Sequence, residues 1–266
     1  MRTTIYSIKN SFYSGLNLSN FLKKIAPTSI FLLLGTSAFA ETDGNKNSSE
    51  TKKFDNSCYT QSFSAEYEIK ASGVPFGGGG KRTLKKIDTN RYRLELTSSS
   101  VFLSTKEVAE FEWDKGIKPI SYRYDRTGVG KDRRYRQYFH INDQRVDFEE
   151  NKKVNSVRYD TVIPIDRLTE TLMLQCQIAQ DKKDVEILIV DRGSLKPHAF
   201  KVVGEEKISA PVGSYNAIKV ERIAEKDSKR QTIMWFAPEL DHQLIQMQQI
   251  NNNQTFTLKL KTFKTP

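Results

Sequence analysis

Apolar side chains fall on every second position over much of this chain. Phe63, Ala65, Tyr67 and Ile69 alternate with Ser64, Glu66, Glu68 and Lys70, the pattern of an extended strand with one buried and one wet face. The same period returns in Tyr92, Leu94 and Leu96; in Ala109, Phe111 and Trp113; in Ile120, Tyr122 and Tyr124; in Val185, Ile187 and Ile189; and in Phe256, Leu258 and Leu260. Between these stretches lie the turn clusters Asp88-Thr89-Asn90, Asp114-Lys115-Gly116, Asn142-Asp143, Lys226-Asp227-Ser228 and Asn251-Asn252-Asn253. Such residues tolerate turn dihedrals or bond their own backbone. The rhythm predicts antiparallel hairpins. One polar face per strand predicts a mainly β fold, a strongly curved sheet or open barrel rather than a buried parallel sheet.

One segment changes period. From Asp166 to Gln180, Leu168, Leu172, Cys176 and Ala179 recur at four- and three-residue intervals, with Pro164 just upstream. Asp166 is placed to cap the first free amides, so a central amphipathic helix is predicted over about 166–180. The helix divides strands of about 61–158 from strands of about 184–263. No motif repeats between the two groups, and 58–266 reads as a single β-rich domain. Residues 41–57 contain one large apolar side chain, Phe54, too little to offset the entropy of ordering, and read as a flexible leader.

The first 40 residues carry no acid, four basic residues (Arg2, Lys9, Lys23, Lys24), an apolar run from Ile25 to Leu34, and then Ala38-Phe39-Ala40. This is the layout of a signal peptide with cleavage after Ala40, which places the protein in the periplasm. The stretch before Lys23 is long for a signal n-region, which leaves the true translation start open. The run is interrupted by Pro27, Thr28 and Ser29 and is too short for a bilayer span. Loss of the four basic residues takes the net charge from +10 to +6. That mild excess, outside the cytoplasm, argues against nucleic acid as a partner. Cys58 and Cys176 are the only cysteines, and an oxidising compartment suits a disulfide between them. Two buried free thiols are the alternative.

Catalytic patterns are absent from the sequence. There is no G-x-S-x-G, H-E-x-x-H or C-x-x-C, and the three histidines, His140, His198 and His242, lie far apart in sequence. No cofactor or metal is expected, and a hydrolase is the lowest-ranked reading. The run Gly77-Gly78-Gly79-Gly80-Lys81-Arg82 lacks the Ser or Thr that follows Lys in a phosphate loop. It reads as a hairpin tip, with a loop gating a cavity as the alternative. From Tyr122 to Tyr138, Arg123, Arg126, Lys131, Arg133, Arg134 and Arg136 are interleaved with Tyr122, Tyr124, Tyr135 and Tyr138. Guanidinium groups beside rings suit a lipid head group or another anionic envelope polymer, while alternating Arg and Tyr is also ordinary strand patterning. Tyr67, Phe111, Trp113, Trp235 and Phe236 read either as core or as the lining of a lipid-sized cavity.

The order of several segments carries a resemblance. Phe63-Ser-Ala-Glu-Tyr-Glu-Ile, Phe111-Glu-Trp-Asp-Lys-Gly-Ile-Lys-Pro-Ile-Ser-Tyr, Asp166-Arg-Leu, the stretch from Val203 to Val220, and Trp235-Phe-Ala-Pro-Glu-Leu together resemble the exported bacterial family catalogued as domain of unknown function 3108. The resemblance covers roughly residues 60–263 and implies a Gram-negative envelope location and a mainly antiparallel β fold. It brings no agreed activity and no catalytic residues. Where the family pattern has Pro-Val after the Trp-x-Ala-Pro segment, this chain has Gln243-Leu244-Ile245.

Two functional expectations follow. The first is a periplasmic, non-enzymatic protein whose curved sheet binds an apolar or amphiphilic envelope molecule. Its candidate contacts are Tyr67, Phe111, Trp113, Tyr122, Arg123, Arg134, Arg136 and Trp235. The second is a packed scaffold that docks on an envelope protein through an exposed strand edge.

Overall fold

The computed structural model describes residues 61–73, 77–101, 103–114, 116–224, 228–252 and 254–266, all within the compact unit Leu33–Pro266. They form one antiparallel sheet of fourteen strands and one α-helix. The first eight strands are β1 (Phe63–Ala71), β2 (Gly78–Lys86), β3 (Arg91–Ser100), β4 (Leu103–Trp113), β5 (Ile117–Gly128), β6 (Arg133–His140), β7 (Arg145–Glu150) and β8 (Lys153–Arg158). Helix α1 (Arg167–Ala179) follows. The remaining strands are β9 (Asp184–Asp191), β10 (Ser194–Ala210), β11 (Gly213–Arg222), β12 (Arg230–Ala237), β13 (Gln243–Asn251) and β14 (Gln254–Lys264). Apart from β8 and β9, each strand pairs with its neighbours in sequence, and β1 pairs with β14, so the order runs β8 to β1 and then β14 to β9.

The sheet is therefore open between β8 and β9, the two strands that α1 connects. It curls until its ends overlap. Gln137 on β6 donates from Nε2 to the Val190 carbonyl on β9 at 3.0 Å. A Cβ built on Gly193, in the β9–β10 turn, meets Phe148 of β7 at 3.4 Å. Arg192 and Gly193 both have positive φ, 50° and 79°, as a two-residue hairpin turn of the primed type demands. The lead-in to the helix adds one parallel bridge to the edge of β9, with Ile165 N–H donating to Leu188 and Val190 N–H donating to Ile165, both at 2.9 Å. β8 lies beyond the overlap, and its residues are exposed except for half-buried Val157.

Helix α1 begins where the sequence predicts. The Asp166 carboxylate accepts from Leu168 N–H and Thr169 N–H at 2.9 Å and takes a third bond from the Thr169 hydroxyl at 2.6 Å. Its burial exceeds the single stripe expected. Leu168, Leu172 and Cys176 are buried, but so are Met173, Leu174, Gln175, Gln177 and Ile178, while Ala179 is exposed. A helix buried on nearly every side sits inside its fold rather than on it. It packs against β9, β4 and β3, so the curled sheet wraps around it.

Two other expectations change. Gly78–Gly80 are strand residues of β2, paired with both β1 and β3, rather than a hairpin tip. A Cβ on Gly78 meets the Ser99 carbonyl oxygen at 2.6 Å, a close approach that only glycine allows. Ile120 does not share the face of Tyr122 in simple alternation. The β4–β5 register slips between Glu110 and Phe111, pairing Phe111 with Pro119 and leaving Ile120 in the bulge. Among the described residues no helix is long and apolar enough to cross a membrane.

Candidate functional site

Period two decides which side chains share the inner face. Ala65, Arg82, Leu96, Glu107, Tyr124 and Tyr135 are successive cross-strand partners from β1 to β6. This row lies on the inner face and contains two buried charged residues, Arg82 at 4% and Glu107 at 2% exposure. A buried charge needs a partner, and the two differ sharply in what surrounds them.

Glu107 belongs to a compensated cluster. Tyr122 donates its phenolic proton to Glu107 Oε2 at 2.5 Å. Arg167, the first residue of α1, lies 3.7 Å from Asp191 Oδ1, whose other oxygen is 3.2 Å from Lys196 Nζ. Burial pushes the Glu107 carboxyl up, and the Arg167 guanidinium opposes that rise. Burial likewise drives the Tyr122 and Tyr135 phenols well above their ordinary range. Burial also raises the capping carboxyl of Asp166 to about 6, against the hydrogen bonds from Thr169 and Leu168. Here one guanidinium from the helix sits among groups from β4, β5, β6 and β9, joining α1 to both ends of the curl.

Among the described residues Arg82 has no such company. Its guanidinium lies 5.5 Å from the Phe63 ring centroid and beside the Tyr67 hydroxyl. Among the described residues, Nη1 and Nη2 have no hydrogen-bond partner. Burial pulls its pKa down, and Tyr67 alone opposes that pull. Tyr67 donates to the Leu244 carbonyl at 3.2 Å and accepts from Gln243 Nε2 at 2.7 Å. Gln243 is fully buried, and its Oε1 has no partner among the described residues.

The residues singled out from the sequence divide between the two faces. Tyr67 and Tyr122 are on the inner face. Phe111 and Trp113 are buried with Tyr92 in one aromatic cluster, ring centroids 5.5–6.1 Å apart. Arg123, Arg134 and Arg136 alternate with Tyr122, Tyr124 and Tyr135 and so stand on the opposite face. There Arg123 Nε is 3.0 Å from Asp125, and Arg136 sits across from Glu149. Trp235 is also outside the inner face, opposite to Met234, which pairs with Val220 and Met247. It is buried because β10, 17 residues long, shifts register between Val202 and Gly204 and its hairpin with β11 crosses the outer face of the sheet. Glu206 of this arm accepts from the Trp235 indole N–H. Val212 N–H reaches the Leu260 carbonyl at 3.3 Å, and Lys259 Nζ donates to the Ser209 carbonyl at 2.9 Å.

The structure does not bring the histidines together. His140 Nε2 is 2.9 Å from Asp147, whose other oxygen accepts from Ser156 Oγ. The carboxylate thus separates the hydroxyl from the imidazole, whereas activating a serine requires the imidazole beside it. His198 is buried and bonded through Nδ1 to Glu170 of α1. His242 lies in the β12–β13 turn, with its pKa lowered by burial. Among the described residues no group of three or more His, Cys, Asp or Glu has metal-binding geometry. Cys176 is buried on α1, and Cys58 lies outside the described residues.

Arg82 and Glu107 were missed by a reading that followed apolar residues alone. The signal was present. Arg82 precedes Leu84 by two positions, and Glu107 precedes Ala109 and Phe111 by two and four, so each extends an apolar stripe by one step onto a charge.

Among solved structures, the chain is similar to a beta-barrel-like protein of domain of unknown function DUF1849 from Brucella abortus. Identity is 9% and the TM-score 0.52, covering 77% of this chain and 98% of that one. This is a likeness of fold. A protein described as a lipoprotein from Parabacteroides distasonis aligns at 11% identity with a TM-score of 0.31, over 77% of this chain and 96% of that one. No curated protein matches the chain significantly. The model of the family described as "Protein of unknown function (DUF3108)" matches residues 66–261, from β1 into β14, and the chain belongs to that family.

Proposed function

We propose that this chain is an exported, non-enzymatic binding protein of the Gram-negative periplasm that holds an apolar or amphiphilic envelope molecule against the inner face of its curled sheet. One observation carries the reading. The inner face combines apolar side chains such as Leu84, Leu94 and Leu260 with buried hydrogen-bonding atoms that have no protein partner among the described residues: both Nη of Arg82, Oε1 of Gln243 and Oε1 of Gln249. Folded interiors satisfy nearly all such atoms, and those left over take solvent or a ligand. The test is organic extraction and mass spectrometry of protein purified from the periplasm. A single amphiphile class at near-equimolar amount is expected. Extracts without lipid, together with no binding of added single-chain amphiphiles, would overturn it.

A second reading is favoured by β8. Its outer edge is unpaired among the described residues and exposed, which suits addition of a strand from another envelope protein. This scaffold reading predicts a partner, recovered by crosslinking, that is lost when prolines are placed in β8 while the melting temperature holds.

Cleavage after Ala40 and a Cys58–Cys176 bridge complete the proposal. A bridge over 118 positions contributes about 4–5 kcal/mol in the chain-entropy picture. Mass analysis of unreduced, alkylated protein is expected to show neither thiol modified; two alkylated cysteines would exclude the bridge.

A further inference from the structure

Arg82 narrows the chemistry of the ligand, an inference that rests on the binding reading above. The contrast with Arg167 is the starting point. Both guanidiniums are almost fully buried, at 4% and 5% exposure. Arg167 has Asp191 at 3.7 Å, whereas among the described residues Arg82 has no carboxylate within ion-pair distance and no hydrogen-bond partner for Nη1 or Nη2. A cation withdrawn from water without a counter-charge is far more costly than a neutral polar group. The arrangement is complete only when an anion is supplied from beyond the described residues.

The surroundings fit an oxyanion. Neither Nη has a hydrogen-bond partner among the described residues, and the two can form the paired bonds that a guanidinium makes to carboxylate or phosphate. Gln243 stands across Tyr67 from Arg82. Turning its amide lets Oε1 accept the Tyr67 proton and frees Nε2 as a further donor. Small residues flank this point. Gly80 and Gly78 share the face of Arg82 on β2, Gly80 pairs with Ser98, and Ser98 pairs with Thr105. These positions are half-buried and carry little or no side chain. Beyond Arg82 the face is closed by Phe63, Leu84 and Leu94.

We infer that Arg82, Tyr67 and Gln243 form an oxyanion site that takes the carboxylate or phosphate head of a single-chain amphiphile. Calorimetric titration of the full chain uses four probes: laurate, dodecyl phosphate, neutral dodecanol and inorganic phosphate. Laurate and dodecyl phosphate are expected to saturate one site, with dodecanol at least about tenfold weaker. Arg82→Gln is expected to weaken both anionic probes about 10- to 100-fold and to leave dodecanol unchanged. Because the substitution removes an uncompensated charge, the ligand-free variant is expected to melt no lower than the parent. Tyr67→Phe keeps the ring and serves as the second variant, with a loss of about 3- to 10-fold confined to the anionic probes. Inorganic phosphate bound as tightly as dodecyl phosphate, and lost in Arg82→Gln, supports the oxyanion site but makes a free anion its ligand and removes the amphiphile. Equal binding of laurate and dodecanol, indifferent to both variants, overturns the oxyanion site and leaves amphiphile binding standing. No binding of any probe overturns both.

Discussion

Asp166 shows how one side chain serves two opposed demands. As a helix cap it must accept bonds from Leu168, Thr169 and the Thr169 hydroxyl, which favours the charged carboxylate. As a buried group it is penalised for that charge, and burial wins, raising it to about 6 from an ordinary value of 3.8. Between those two values the folded protein holds a proton that the unfolded chain releases, so Asp166 makes stability fall as pH rises from about 4 to 6. Glu107, also raised by burial, acts in the same direction. Asp147 acts oppositely, because the Ser156 hydroxyl outweighs its slight burial and holds it low; its contribution is lost only as the pH falls through the acid range. Asp166→Asn keeps a capping oxygen and cannot titrate. Its urea midpoint is expected to fall less between pH 4 and pH 6 than that of the parent. An unchanged slope would show that Asp166 is not the titrating group.

At the scale of elements, β2 and β10 show backbone geometry choosing the residues. The glycines of β2 are not equivalent. A Cβ at position 78 meets a backbone oxygen at 2.6 Å, whereas at position 79 the nearest atom, the Tyr67 carbonyl oxygen, is 3.7 Å away. Gly78→Ala is therefore expected to cost about 1–3 kcal/mol, as overpacking does. Gly79→Ala is expected to be near neutral, or to stabilise by restricting the unfolded chain. Chemical denaturation of the two variants checks this, and equal costs would place the strain elsewhere. In β10 the register shift at Val202–Gly204 turns the hairpin over the outer face and makes Trp235 a contact of the arm rather than of the interior. Alternation along β12 places Trp235 opposite to Met234, but nothing local to β12 reports that the outer face is covered.

For the whole molecule, closure of the curl depends on contacts between strands far apart in sequence. Gln137 to Val190 joins β6 to β9, and Arg167 brings α1 to Asp191 with Glu107 and Tyr122 nearby. Arg167→Met removes the buried cation near Glu107 and leaves Asp191 with Lys196 and Arg192, which is expected to cost about 1–3 kcal/mol. Equilibrium urea unfolding measures it. The comparison with Arg82→Gln is informative because both remove a buried guanidinium. A destabilised Arg82 variant alongside an unaffected Arg167 variant would reverse the assignment of which cation the fold itself compensates.

The alternation of β1, β3, β4, β9 and β14, the helix with its cap, and the division of the Arg and Tyr residues of β5 and β6 between two faces were readable from the sequence, since each depends on a spacing of two or of three to four residues along the backbone. The family pattern was readable for the same reason, as an order of short segments. Tertiary structure alone decided that β1 pairs with β14, that α1 is enclosed on nearly every side, that Trp235 lies under an arm, and that Glu107 has a counter-charge while Arg82 has none among the described residues. Those outcomes depend on which distant strands meet when the sheet curls. Alternation tells a residue which face it occupies, but not what stands across from it.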